Sequence, residues 1–370
     1  MRMTQAIHVT WRSRLAQALL AVAAAQASAA PVTDCPLRDA PFSVDLPLLD
    51  VLQSPRAMTA LAAEWPGVRA LPAWMAGTKP PSLSAVMTLR SIAAGQDMPP
   101  LARLDAVLGA LPVDDSDRAA RCARYDDELP QGVVPAGSPR LLVFEKVNGF
   151  LHAEAIPAAR AALRDLARRR GWSVTVTDKG GAMTPAYLRQ FDVVVWNNVS
   201  GDVLTLPQRA AFQTYMEGGG GFVGLHGAGG DGTVWWDWYA DTLLGSRFKG
   251  HPMNPQFQDA HVVVEAGAHP VVAGLGDGWT MKDEWYSFTA NPREAGARVL
   301  ATLDEKTYSP GDLAMGDDHP IAWTRCVGRG RAFYSAIGHR AESYADPSYL
   351  KLIEQATTWA AGRGGPACEP

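Results

Sequence analysis

The sequence predicts an α/β fold, a doubly wound and mostly parallel sheet preceded by a small all-helical region. Three observations point to it. From residue 140 onward, apolar runs of strand length alternate with amphipathic helical stretches, and strict alternation implies parallel strands joined by right-handed crossovers. Residues 31–135 carry helical spacing interrupted by proline, with almost no strand pattern. Between the two, residues 129–139 are rich in Pro and Gly and read as a linker. The 370 residues are 47 % hydrophobic and 19 % charged, enough for an apolar core and incompatible with a disordered chain.

Residues 1–30 read as an export signal. Arg2, Arg12 and Arg14 stand without an acid, an apolar run follows over 15–25, and after Gln26 small residues fill 27–30. That run is well short of the ~20 residues a membrane-spanning helix needs. Stable membrane insertion is therefore not expected, and a periplasmic or extracellular location is. In the helical region of 31–135, Ser54 is placed to cap a helix that opens on Pro55, with Met58, Leu61, Ala62 and Trp65 at helical spacing. Leu101, Leu104, Leu108 and Leu111 repeat the pattern. The α/β domain spans 136–363, with strands at 140–144, 172–177, 192–196 and 221–225 and helices at 155–170 and 207–217; 364–370 is a tail. Export puts the four cysteines in an oxidising compartment, and pairing within each region, Cys35 with Cys122 and Cys326 with Cys368, is the expectation. None has a C-x-x-C spacing, which argues against a metal or redox role for them.

Ligands of doubly wound sheets bind beyond the carboxyl ends of the strands, which directs attention to 145–152, 197–202 and 226 onward. There, residues 218–230 are glycine-rich, and Gly224, Gly227 and Gly229 flank His226 as glycines flank the residue of a nucleophile elbow. A formal net charge of -4 offers no positive field for a phosphate backbone, so nucleic acid is not an expected partner. No G-x-G-x-x-G follows the first strand, where 144–149 reads Phe-Glu-Lys-Val-Asn-Gly, and a nicotinamide cofactor is not expected.

Further motifs follow in order: Asn-Gly-Phe-Leu-His at 148–152, Gly-His-Pro at 250–252, Asp-Glu-Trp-Tyr at 283–286, Asp-His-Pro-Ile-Ala-Trp at 318–323, and 328–334 leading to Gly338 and His339. In this order the chain resembles the ThuA-like family of trehalose utilisation from about residue 140 to 359. The resemblance implies a class I glutamine-amidotransferase-like, flavodoxin-like fold and a role in carbohydrate metabolism on a glycoside or keto-sugar derivative, with a small carbohydrate as ligand. Where amidotransferases carry the elbow cysteine, this chain has His226. Glutaminase chemistry is thereby excluded, and a serine hydrolase is disfavoured on the same ground. His339 matches the amidotransferase histidine, but Glu342 follows it by three residues instead of two.

The residues expected to carry chemistry are His226 and His339, exchanging protons with a sugar hydroxyl or glycosidic oxygen with help from Asp283 or Glu284. His152, Asn197, Asn198, Trp235, His251 and Tyr286 are expected to contact the substrate; Trp235 belongs to the aromatic run 233–239, suited to sugar faces. No cofactor is certain. His152, His226, His251 and His339 could instead hold a divalent ion such as zinc or manganese, although no H-x-x-x-H or H-E-x-x-H spacing fixes two of them on one helix. A non-catalytic sugar-binding module uses the same residues. His269 and His319, each before a proline, read as loop punctuation, and the oligomeric state stays open.

Overall fold

The computed structural model describes residues 32–265, 267, 269–363 and 367–368. The export signal expected at 1–30 lies outside the described residues, as does most of the tail. In the helical region the predicted caps close as their chemistry requires. Ser54 Oγ accepts the Ala57 N–H and Pro55 opens α2 (Pro55–Glu64), after the short α1 (Leu48–Leu52). Thr88 and Asp114 form capping boxes at α3 (Leu89–Ile92) and α5 (Asp115–Cys122), on either side of α4 (Leu101–Gly109). The apolar faces meet in a separate small core of Phe42, Leu48, Leu61, Leu104 and Leu108. Buried Asp50 is paired with Arg124 at 2.5 Å, and the Cys35–Cys122 disulfide ties the start of the region to the end of α5.

The strands are β1 (Arg140–Phe144), β2 (Ser173–Thr177), β3 (Val193–Asn197), β4 (Gly221–Leu225), β5 (Phe248–Gly250), β6 (Phe257–Val264), β7 (Gly278–Glu284), β8 (Ser287–Phe288), β9 (Arg298–Asp304), β10 (Pro320–Val327) and β11 (Gly330–Ser335). The main helices of this part are α6 (Ala155–Arg170), α7 (Pro185–Leu188), α8 (Leu206–Glu217) and α9 (Pro347–Ala360). The strands and helices expected up to residue 225 form within a residue of their predicted ends, and α6 closes on Gly171 in the left-handed conformation (φ 71°). Among the described residues, nine strands form one sheet in the order β2-β1-β3-β4-β11-β10-β9-β6-β7, and β5 pairs separately with β8. The half from β2 to β11 is parallel, as expected. Beyond β11 the pairings are antiparallel, with β9 beside β6 and β7 at the edge, an arrangement that the early strand–helix alternation does not foretell.

The far edge does not stay far away. Four strand spacings of ~4.8 Å separate β11 from β7 in a flat sheet, yet Asp283 in β7 accepts hydrogen bonds from the backbone N–H groups of Gly338 (2.8 Å) and His339 (3.1 Å), just past β11. The antiparallel half therefore coils back towards the carboxyl edge of the parallel half. The expected within-region disulfides are both present, the second joining Cys326 of β10 to Cys368.

The helical region does not hang on its linker. It packs with the sheet as one compact unit, held by Ser82 N–H to Asn148 O (3.0 Å), Asn148 Nδ2 to Arg124 O (3.2 Å) and Trp235 Nε1 to Asp45 O (3.2 Å). No helix among the described residues is long and apolar enough to cross a membrane. The Cys35–Cys122 bridge spans 87 residues, so replacing both cysteines by serine is expected to lower stability by about 2–4 kcal/mol. Urea unfolding of the variant beside the oxidised parent checks this.

Candidate functional site

The carboxyl ends of β1, β3, β4 and β11 lie side by side. The loop after β1 brings His152, the end of β3 brings Asn197 and Asn198, the turn after β4 brings His226, and the chain after β11 brings His339. From the coiled edge, β7 adds Asp283 and Glu284. His226 has φ +41°, a left-handed conformation that costs a non-glycine residue roughly 1–2 kcal/mol. Two contacts hold it there: Tyr334 Oη donates to the His226 carbonyl at 2.9 Å, and Nδ1 of the ring sits 2.6 Å from Ala336 O. Gly227 must follow, because a Cβ there would lie 2.9 Å from the His152 ring.

Glu284 is the centre of the cluster. Its Oε2 lies 3.0 Å from His339 Nδ1 and 3.4 Å from His226 Nε2, and its Oε1 lies 3.3 Å from His251 Nδ1 and 2.5 Å from Gln256 Nε2. Since Ala336 O can only accept, His226 carries its proton on Nδ1 when neutral, and its Nε2 becomes an acceptor. His339 Nδ1–H then donates towards Glu284 and towards His226 Nε2, 3.3 Å away. Among the described residues, His339 Nε2 has no hydrogen-bond partner. The imidazoles of His152, His226 and His339 pack edge to face, with centroids 4.8 to 5.2 Å apart, and Tyr286 lies against His226 at 4.2 Å.

These contacts set opposed electrostatics. Burial works to raise the Glu284 carboxyl, but His226 and His339, which in their protonated forms donate to it and set a positive charge beside it, outweigh burial and hold Glu284 below the usual carboxylate range. At Asp283 burial wins and the carboxyl is raised, against His226 and the bonds from Ser343, Glu284 and Gly338. Burial, with the neighbouring His226 and His339, holds His152 well below the ordinary imidazole value, and its Nδ1 has no hydrogen-bond partner.

A cavity of about 670 Å³ opens above the cluster, a size typical of small-molecule sites. His152, His251, Gln256, Glu284, Tyr286 and His339 line its floor. The ThuA family model, described as trehalose utilisation, matches residues 140–360, the part of the chain that carries this floor. The chain belongs to the ThuA family. Among solved structures, a ThuA-like protein from Bacteroides uniformis is 27 % identical with a TM-score of 0.54, covering 63 % of this chain and 95 % of its own. A ThuA-like protein from Parabacteroides merdae is 18 % identical with a TM-score of 0.49, covering 61 % and 91 %. No curated protein matches the chain.

In this ThuA protein, His152, His251, Glu284, Tyr286 and His339 all line the cavity. Several other expectations need correction. His226 is wholly buried and does not line the cavity; the elbow turns its ring inward, beneath His152 and His339. Asp283 is also wholly buried, its oxygens taken by Gly338, His339, Glu284 and Ser343. Both act through their neighbours. Asn197 and Asn198 are equally buried: Asn197 Nδ2 donates to Glu145 and to Ile156 O, and Asn198 bridges Tyr344 Oη and the Gly227 N–H. They position the elbow and do not reach the cavity. Trp235 faces a neighbouring crevice beside Trp196 and Trp236 and binds the helical region through Asp45. His251 meets the other oxygen of Glu284 and stands outside the triad of imidazoles whose ligand atoms lie within 4.8 Å of one another, His152, His226 and His339.

Two contributions escaped the sequence reading. Asp231, just past the elbow, lines the cavity, accepts from Ser200 Oγ (2.8 Å) and Gly201 N–H (2.6 Å), and is pushed by burial up to about 6 despite those bonds. His319 is a wholly buried bridge from Glu305 to the Tyr286 carbonyl, at 2.7 and 2.8 Å, and fixes the segment carrying Tyr286. The Asp-His-Pro motif marked the position without its role.

The depressed His152 has a consequence for stability. In the unfolded chain the imidazole takes a proton near its ordinary value of 6.5, whereas the folded protein resists until lower pH. Its contribution is therefore complete above that value and is lost as pH falls towards the folded pKa, at no more than about 1.4 kcal/mol per pH unit. With chelator present, thermal midpoints should fall from pH 7.5 to pH 5, and less steeply in His152→Asn; identical slopes would contradict the assignment.

Proposed function

We propose that this ThuA protein is an exported enzyme of carbohydrate metabolism that moves protons on a glycoside or keto-sugar derivative, with His339 meeting the substrate and Glu284 behind it. The observation that carries the reading is the 3.0 Å contact between His339 Nδ1 and Glu284 Oε2 at the floor of the cavity. A carboxylate on Nδ1 fixes the tautomer and leaves Nε2 as the basic nitrogen. A substrate hydroxyl or a water at Nε2 would give up its proton there. The imidazolium so formed is stabilised by Glu284 and can return the proton to a glycosidic oxygen. His226 and Asp283 hold the pair from behind. Export is supported by the character of residues 1–30 and by the two disulfides, which suit an oxidising compartment.

A second reading rests on a separate observation. The imidazoles of His152, His226 and His339 could hold a divalent ion, and two of them already turn Nδ1 to a carbonyl or carboxylate, as metal-binding histidines do. Zinc or manganese held there would polarise a substrate oxygen.

The test uses the full chain and a panel of glycosides and keto-glycosides. His339→Asn and Glu284→Gln, each with native far-ultraviolet circular dichroism, are expected to lose on the order of 100-fold or more in kcat. Parental activity in both would overturn the assignment, and saturable binding without product in the parent would make the protein a sugar-binding module. Near-stoichiometric metal in untagged protein, lost in His152→Ala, would establish the second reading.

A further inference from the structure

The cavity above the histidine floor has a second wall that the ThuA match does not reach. Leu83, Val86 and Met87, from the helical region, line it together with Trp74, and all four precede residue 140, where the family match begins. Phe150 and Met253 complete the rim from the ThuA side. Trp74, Phe150 and Met253 are 57 %, 39 % and 62 % exposed, so three of the large apolar side chains left to solvent gather at one opening. Exposed apolar groups clustered at a concave site mark a ligand surface.

The wall is fixed and not a loose flap. Ser82 N–H donates to Asn148 O, Asn148 Nδ2 to Arg124 O, and Val86 packs so closely on Gly149 that a Cβ there would lie 2.6 Å from its Cγ1. The floor brings His152, His251, Gln256, Glu284 and His339, with Ser200, Asp231, Thr233, Lys249 and Thr289 also in the lining, whereas what the helical region contributes is apolar apart from Ser91, whose hydroxyl is taken up by the Thr88 N–H and carbonyl. A second sugar ring against Leu83, Val86 and Met87 would find few partners for its hydroxyls, and each unsatisfied group would cost binding energy. A cavity of about 670 Å³ also encloses more than one sugar ring fills.

We infer that the helical region builds an apolar subsite beside the histidine floor, and that the ligand is a glycoside with an aryl or similarly apolar aglycone seated against Trp74, Val86 and Met87. The inference rests on the carbohydrate reading given above. It is tested by calorimetric binding of phenyl and methyl glucosides of both anomeric forms, their keto derivatives, and trehalose to the full chain. A phenyl-over-methyl preference on the order of tenfold is expected, and Trp74→Ala and Met253→Ser, both changes at exposed positions, should each reduce that ratio towards one. If the sugars bind with no phenyl preference, if the preference survives both substitutions, or if trehalose binds more tightly than the phenyl glucosides, the apolar subsite is wrong while the carbohydrate reading stands. If none of the sugars binds, the carbohydrate reading falls and takes this inference with it.

Discussion

Burying one ionised carboxylate, Glu284, constrains the rest of the site. A charge removed from water costs several kcal/mol unless partners surround it, and Glu284 is 1 % exposed. Its partners come from separate segments: His226 after β4, His251 and Gln256 after β5, His339 after β11. None can be withdrawn without leaving part of the charge unpaired, so the ends of strands far apart in the chain must converge. Asp283, one residue earlier and pointing the other way, takes the opposite part. It receives the N–H groups of Gly338 and His339 and the hydroxyl of Ser343, which locks the turn carrying His339 to the coiled edge of the sheet. Adjacent carboxylates on one strand thus divide the work: one sits among the imidazoles, and the other fixes the backbone that presents one of them.

This division explains why His226 is buried. A histidine presented at the tip of an elbow would meet ligand directly. Here Ala336 O and Glu284 occupy both sides of the ring, and Tyr286 covers a face. Of these two rings the one that meets the cavity is His339, and His226 supports it. The left-handed backbone at His226 serves the inward direction, since the same turn brings Gly227 against His152 and the Gly227 N–H to Asn198.

Local order was legible in the sequence, and long-range convergence was not. Strand and helix periods placed β1 to β4, α6 and α8, because burial on both faces or on one stripe leaves a local pattern. The carboxyl edge of parallel strands located His152 and His339, because chemistry there follows from topology, and His251 and Glu284 were marked by their own Gly-His-Pro and Asp-Glu-Trp-Tyr motifs. The direction of the His226 ring depends on Ala336, 110 residues away, and no local pattern records that. Asn197 and Asn198 misled for a related reason: two amides at a strand end suit a ligand as well as they suit buried neighbours, and only the partners Glu145 and Tyr344 decide. Trp235 looked like a sugar platform, yet its indole serves the junction with the helical region. The antiparallel half also went unseen, since its strands after residue 250 alternate with short turns in place of helices.

The cavity is a composite of two parts with different chemical character. Its polar floor belongs to the ThuA domain, while one wall belongs to residues outside the family match. The family association therefore speaks to what the floor can do and leaves open what lies against the wall. Hydrogen bonds such as Ser82 to Asn148 make the two parts one rigid enclosure, so a ligand meets both at once. Selectivity in such a site comes from the mismatch between its halves: a wholly polar ligand leaves hydroxyls unsatisfied at the wall, and a wholly apolar one leaves the imidazoles and Glu284 without partners. A molecule polar at one end and apolar at the other meets both parts with matching chemistry.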